Sequence, residues 1–510
     1  MHHIARSLAP LLLAVLPAAL AWGVVHASFG ASLTDFMPHF DLDQFPYWRE
    51  MASFAAAGFS GGNYGINDTT SVLKGFGPHG VAAPILYGSF YRLLPELGFA
   101  LIPVVNLGLI TLGLGFLLWK ERADTGACLL LALGVALYPP VLLFAPSSFQ
   151  DGLHMAGALP LAWGFIRLME ANAAGKPDRV AALWTGALLL ILCFVRYTWA
   201  VCLVPYAYAV LSGRPRRLLL AVLAGGAAGL AVVWTFHLFV PVWYASPEAQ
   251  VFLGGSGGAA AGLWGRAARN LSQLVDVDGN LRASALLSLD LALALVACLG
   301  IWLAGWKRTG RAFSIPALHR EALLAVSAGL LGLFVMNTVA WVGNGMNMAR
   351  LLSAHYLFCL PLAVRFLPSR VLHPLVLYGA LLLPSSLAYY QYQHYPAYRD
   401  AAVRPRVETL RQELSEHLRE WKSGNPWDET IALHVSGPDA AAAWLAVPQR
   451  YGIQSLTQGT MPVRSRFALL AGDAREKALA SPHFKVLKET SVGTLFLRPQ
   501  TPDSPAGSGG

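Results

Sequence analysis

Eleven apolar runs of near-bilayer length fill the first three quarters of the chain, and they restrict it to one kind of architecture. A hydrocarbon core about 30 Å thick needs roughly 20 apolar residues per helix. The runs lie at 8–27, 98–118, 127–144, 153–170, 181–196, 198–212, 218–241, 283–305, 321–342, 352–367 and 371–388. The pair around Arg196 is short, so the count falls between about nine and twelve. Backbone inside lipid must satisfy its own hydrogen bonds, so these runs are expected as helices. Composition agrees: of 510 residues 55% are hydrophobic and 13% charged, about half the ordinary charged share. So few charges do not coat a water-soluble body of this size. The expected fold is mainly α, a polytopic transmembrane bundle of about eleven helices with a small soluble α/β domain at the C-terminus.

The charges divide the chain. From Gln391 onward there are 14 Lys/Arg and 12 Asp/Glu, an ordinary soluble density, whereas the preceding 390 residues hold the other 39. A membrane part, 1–390, is therefore expected before a compact domain at 391–500, with a Pro/Gly/Ser end at 501–510 that has no reason to order. The net charge of +9 does not indicate nucleic acid, because most of it sits in short loops between apolar runs. Arg6, Lys120, Arg122, Lys176, Arg179, Arg214, Arg216, Arg217, Lys307, Arg308, Arg311, Arg320, Arg365 and Arg370 fall on one side. That puts the N-terminus in the cytoplasm, and an odd helix count puts the C-terminal domain outside. The first run is read as an uncleaved helix; the alternative is a signal peptide with a poor cleavage site at Val25-His26-Ala27. Together these expectations describe a multi-pass protein of a bacterial inner membrane. The five cysteines all lie in apolar runs, without metal or redox spacing.

Two long outside loops, 28–97 and 242–282, remain. The second carries Gly254-Gly255-Ser256-Gly257-Gly258 and an amphipathic stretch, Leu263 to Val275, suited to a membrane interface. In the tail, helices are expected at Val407–Trp421, Pro438–Leu445 and Asp473–Ala480. Strands are expected at Thr430–Val435 and Arg466–Leu470, with a closing pair at Phe484–Glu489 and Val492–Arg498. The tail shows no catalytic constellation and is read as an acceptor-binding or stabilising module.

The first loop carries the chemistry. Asp41-Leu42-Asp43 precedes the aromatic stretch Phe45-Pro46-Tyr47-Trp48-Arg49-Glu50-Met51. Two carboxylates at a membrane boundary suit deprotonation of a hydroxyl, or the holding of a divalent cation such as magnesium or manganese. The alternative is that they solvate the loop and cap the helix that follows. Further on, Lys74-Gly75-Phe76-Gly77-Pro78-His79-Gly80 makes a tight turn in which Lys74 and His79 suit a phosphate or a substrate hydroxyl; otherwise His79 caps the turn. Asp290 stands inside the run Leu286 to Leu293. A carboxylate there costs about 2.5–3.5 kcal/mol on insertion scales and should face a cavity or a partner. It either supports an arginine or a metal, or fixes helix packing by a hydrogen bond. His237 and Asn337 read as interhelical hydrogen-bond partners.

One N-terminal helix, an acidic outside loop, the Tyr47–Met51 stretch and a Lys/Gly/Pro-His turn come in this order, and it resembles the GT-C class of integral-membrane glycosyltransferases. The likeness is to the lipid A aminoarabinose transferase and protein O-mannosyltransferase branches. In those families an acidic residue of the first outside loop serves the acceptor, and a Lys-Pro-Pro or His-Pro-Pro turn follows. Pro146-Ser147-Ser148-Phe149-Gln150-Asp151 resembles the second acidic turn, and Arg350-Leu351-Leu352-Ser353-Ala354-His355 the Arg-led start of a late helix. This chain departs in having Gly77-Pro78-His79-Gly80 for paired prolines and Asp-Leu-Asp for an adjacent acidic pair. The resemblance implies transfer of a sugar from a polyprenyl-phosphate donor to a hydroxyl of a lipid, glycan or protein. Asp41 or Asp43 is then the base. Asp151, Arg196, Arg350, His355, Lys74, His79 and Asp290 are then expected to bind substrate; the alternative for Arg196 and Arg350, at helix ends, is that they snorkel to lipid headgroups. Membrane lipids are the other partner and nucleic acid is not one. Two other classes compete, a lipid or polysaccharide transporter or flippase and a non-catalytic scaffold. A transporter calls for inverted repeats and paired broken helices; neither is visible apart from the break at Tyr138-Pro139-Pro140.

Overall fold

The computed structural model describes residues 2–39, 43–60, 65–67, 70–72, 75–77, 80–122, 124–211, 215–239, 265, 277–309, 316–335, 345–393, 398, 403–418, 429–456 and 465–498. They form two compact units, one of Met1–Leu33, Ile102–Leu238 and Val242–Gln393, the other of Thr34–Leu101, Phe239–Pro241 and His394–Gly510. The Gly-rich run 254–258, the Leu263–Val275 stretch apart from Gly265, Asn337 and the end 501–510 lie outside the described residues.

The first unit is helical, and each of the eleven apolar runs carries helix. Among the described residues, five helices are long and apolar enough to cross a membrane: Ala9–Phe29, Pro95–Glu121, Leu218–Phe239, Ser288–Thr309 and Ser369–Ala388. Leu218–Phe239 shows why lipid is required. Leu219 is 70% exposed, Leu230 73% and Trp234 67%, an apolar face that a soluble chain does not leave in water. Its other face is packed by small residues. A Cβ at Gly225 would lie 2.6 Å from the Cα of Val204 and 2.7 Å from the Leu203 carbonyl, so backbone meets backbone there, as in close membrane helix pairs.

Two runs are not single α-helices. The run 127–144 divides into Thr125–Ala136 and Pro139–Phe144, with Tyr138 extended between them, because the residue before a proline is pushed out of the α region. The run 198–212 opens with a 3-10 turn, Tyr197–Cys202, before the helix Leu203–Val210. The helix Val277–Thr309 begins before the expected start at 283, so Asp290 lies deeper along it than the apolar run implies. His237 Nδ1 bonds the Val233 carbonyl of its own helix at 2.7 Å.

The second unit has a seven-stranded sheet, β1 Gly65–Asn67, β2 Thr70–Val72, β3 Thr430–His434, β4 Gly452–Ser455, β5 Phe467–Leu470, β6 Lys485–Glu489 and β7 Thr494–Leu497, in the order β1-β2-β4-β3-β5-β7-β6. At its centre β3 runs parallel to β4 and β5. Central parallel strands are buried on both faces and therefore read as continuous apolar runs, as Ile431-Ala432-Leu433 and Phe467-Ala468-Leu469-Leu470 do. At one edge, β6 is charged and exposed, which discourages pairing with another chain. The helices Val403–His417, Pro438–Ala446 and Gly472–Leu479 match those expected, but the sheet extends beyond the tail. β1 and β2 form a hairpin from the loop 28–97, and β2 joins β4 antiparallel through Thr70 and Gln454. Most of that loop belongs with the tail rather than with the membrane helices.

Arg49 is one of the ties between that loop and the tail. It lies on the helix Gln44–Ala57, is 1% exposed, and donates from Nη1 to the Val447 carbonyl at 2.6 Å and from Nη2 to the Pro448 carbonyl at 2.7 Å and that of Tyr451. Burial, and secondarily the charge of Arg411, push this guanidinium down to about 9, so it is still a cation at neutral pH.

Two helices of the first unit, Thr125–Ala136 and Arg179–Val195, are capped at their starts by Asp124 and Asp178. Asp178 accepts from the Ala181 amide at 2.9 Å, and that bond, with Arg167 beside it, holds its carboxyl below the ordinary range. A depressed carboxyl contributes stability above its unfolded pKa and loses it as pH falls through the folded value. Asp178→Ala should therefore lower the unfolding temperature in detergent at neutral pH, with the difference from wild type closing once the pH falls below the usual aspartate range.

Candidate functional site

In the first unit, three segments each bring two polar residues to one buried place: Asp151 and His154, Arg196 and Trp199, Arg350 and His355. Asp151 is the first residue of the helix Asp151–Ala173, where the helix dipole favours a carboxylate. The approach to it is pinned from below. The Asn106 side-chain amide reaches the carbonyls of Ala145 at 3.4 Å, Ser147 at 3.3 Å and Phe149 at 3.0 Å. Gly152 makes room for that amide, since a Cβ there would lie 2.3 Å from Asn106 Cγ.

Arg196 ends the helix Arg179–Val195 in extended backbone, where a cation meets the negative pole of the helix dipole. Its Nη2 is 3.4 Å from Asp151 Oδ1, and Arg350 Nε is 3.3 Å from Asp151 Oδ2. The Arg350 guanidinium also lies 4.4 Å from the centre of the Phe149 ring, a cation–π contact. All three charges are largely removed from solvent, where mutual attraction is strong and the loss of one partner is costly. Two guanidiniums thus meet on one carboxylate, and the three paired groups sum to one positive charge.

Beside them, Trp199 Nε1 donates to His154 Nδ1 at 3.0 Å, and the Trp199 and His355 rings stand 5.2 Å apart. An acceptor Nδ1 places the proton of a neutral His154 on Nε2. That Nε2 and His355 Nδ1 are buried with no hydrogen-bond partner among the described residues, so both can serve a guest molecule with oxygen atoms.

Of the residues expected from sequence, Asp151, Arg196, Arg350 and His355 come together. Asp290 does not join an arginine among the described residues. It accepts from the Tyr138 hydroxyl at 2.6 Å, and Tyr138 stacks on Tyr356 with ring centres 3.9 Å apart. That hydrogen bond ties the helix break at Tyr138 to the helix Val277–Thr309, and Asp290 Oδ2 is left buried without a hydrogen-bond partner among the described residues. Asp43 is in the second unit, at the N-cap position of Gln44–Ala57, half-buried, and its side chain does not cap the helix, contrary to the capping alternative. Asp41, Lys74 and His79 lie outside the described residues. Among the described residues, no three His, Cys, Asp or Glu side chains gather as a metal site. His154 and Trp199 were not anticipated. For His154 the signal was its three-residue spacing from Asp151, which repeats a helix face; Arg196 is extended and Trp199 lies in a 3-10 turn, so no such spacing marked Trp199.

No protein-family model matches the chain, and no curated protein matches it. Among solved structures it is similar to the crystal structure of ArnT from Cupriavidus metallidurans bound to undecaprenyl phosphate, at 13% identity and a TM-score of 0.46, over 95% of this chain and 99% of that one.

Gly152→Ala should displace the Asn106 amide from its three carbonyls and loosen the turn that presents Asp151. The expected cost is about 2–4 kcal/mol, seen as a lower unfolding temperature in detergent; an unchanged temperature would show that the turn is held by other means.

Proposed function

We propose that this protein is a membrane glycosyltransferase that moves a sugar from a polyprenyl-phosphate-linked donor to a hydroxyl acceptor. The observation that carries the reading is the convergence of Arg196 and Arg350 on the single buried carboxylate of Asp151. A departing polyprenyl phosphate develops negative charge on its oxygens. Guanidiniums stabilise such oxygens through charge-assisted hydrogen bonds, and best where the donors are fixed in advance in a dry site. Asp151 supplies that fixing. It keeps two like charges side by side before an anion arrives. The apolar helices around it suit the polyprenyl chain, which has to stay in lipid while its phosphate reaches the charged site.

On this reading Asp43, or Asp41, takes the proton of the acceptor hydroxyl. The acceptor oxygen forms a bond to the anomeric carbon, the bond from that carbon to the phosphate oxygen breaks, and the bonding pair leaves with the phosphate. Lys74 and His79, from the turn of the same loop, are assigned to the donor phosphate or to a substrate hydroxyl. A magnesium or manganese ion, if the reaction uses one, would be held by Asp41 and Asp43, and chelation in the same assay decides its use. The charge asymmetry of the loops supports an N-terminus inside and a tail outside, in a bacterial cytoplasmic membrane.

The test is transfer in lipid nanodiscs from polyprenyl-phosphate sugars, read as released polyprenyl phosphate, beside mass spectrometry of envelope lipids and glycans from a deletion strain. Asp43→Asn should lower kcat by about 10²–10⁴-fold with donor KM little changed, the effect of losing a general base. If Asp41 is the base instead, Asp41→Asn takes that loss. Arg196→Ala should lower kcat by about 10²–10³-fold. A deletion strain whose glycolipids and glycans match the wild type would sink the transferase reading and favour a scaffold.

A further inference from the structure

We infer that Arg49 is a positioning residue through which the C-terminal module holds the acidic loop in its working place. The inference rests on Asp43 as the proposed base, and it gives the tail a role other than binding the acceptor.

Within the second unit, the turn 447–451 lies between the tail helix Pro438–Ala446 and β4, both anchored in the tail's own sheet and core. Side chains of the helix Gln44–Ala57 take four of its carbonyls. Arg49 takes those of Val447, Pro448 and Tyr451, and Ser53, one turn further on, donates its hydroxyl to Gln449 at 2.7 Å. From the other side Gln449 donates its amide to the Tyr91 hydroxyl at 3.0 Å, which draws in the helix Ala82–Leu93. The segment before the acidic pair is held as well: Arg404, from the tail helix Val403–His417, donates to the carbonyls of Thr34 at 3.1 Å and Phe36 at 3.4 Å. Asp43 thus sits between two tail-held points, the carbonyls at 34 and 36 and the helix that starts at Gln44.

The choice of acceptors matters. Carbonyls present no charge, so the grip depends on geometry. A planar fork reaches several of them at fixed angles, which a single ammonium cannot do. A base works only if its oxygen lies within hydrogen-bond reach of the proton it removes, and a displacement of about 1 Å costs on the order of 10²-fold in rate. A loop of this length on its own does not hold a carboxylate to that tolerance.

The experiment uses the full chain in nanodiscs with Arg49→Ala, Arg49→Lys and the milder Ser53→Ala. Hydrogen exchange is measured alongside kinetics with a polyprenyl-phosphate sugar. In Arg49→Ala, exchange across 44–57 should rise by roughly tenfold or more while β3, β4 and β5 keep their protection. At the same time kcat should fall by roughly tenfold or more, with donor KM within about twofold. Arg49→Lys should recover part of kcat, and Ser53→Ala should move in the same direction by less. Unchanged exchange in 44–57 would overturn the inference. So would a rise shared by the central strands, which would make Arg49 a prop for the tail alone. Should Arg49→Ala not fold, the same outcomes are read from Ser53→Ala. Wild-type protein with no transferase activity would defeat the proposed function, and the exchange pattern would still decide whether the clamp holds the loop.

Discussion

A guanidinium taken out of water must be given oxygen atoms, and this chain meets that demand in two ways. In the helical unit Arg196 and Arg350 are given the carboxylate of Asp151. In the other unit Arg49 is given the carbonyls of Val447, Pro448 and Tyr451. The desolvation cost of such a cation reaches several kcal/mol, so each arrangement compels the surrounding backbone to stay where the acceptors are. The carbonyls of the turn after Ala446 meet that demand directly, whereas the turn before Asp151 is held by the Asn106 amide.

The two solutions differ in what they leave for chemistry. The cluster on Asp151 retains positive charge among its paired groups, with two imidazoles and an indole beside it. The Arg49 fork spends its donors on neutral backbone and has little to offer a ligand; its consequence is mechanical.

Much of this was legible along the chain. Apolar runs mark helices because lipid gives a peptide group no hydrogen bond, and among the described residues each of the eleven carries helix. In the tail, β3 and β5 announced themselves by continuous apolar residues. By contrast, β4 is only four residues with a glycine and a glutamine, and β1 and β2 are three each, too short for any period to show. Asp151 and Arg350 were singled out by the resemblance of their stretches to the GT-C pattern. Nothing in the spacing indicated that they meet, since they are brought together by helices far apart in sequence.

Asp290 shows the same division from the other direction. That a carboxylate within an apolar helix must have a partner follows from the cost of burying it, and this much is a property of the sequence. That the partner is Tyr138 follows from the extended residue before Pro139 and from how that break packs against the helix Val277–Thr309. Local chemistry dictates which groups need partners, because desolvation is paid wherever the chain passes through apolar surroundings. Only the tertiary structure decides which partners they get, because hydrogen bonds and ion pairs require contact within about 3 Å, and residues 100 or more apart in sequence reach that distance only through the packing of whole helices and strands.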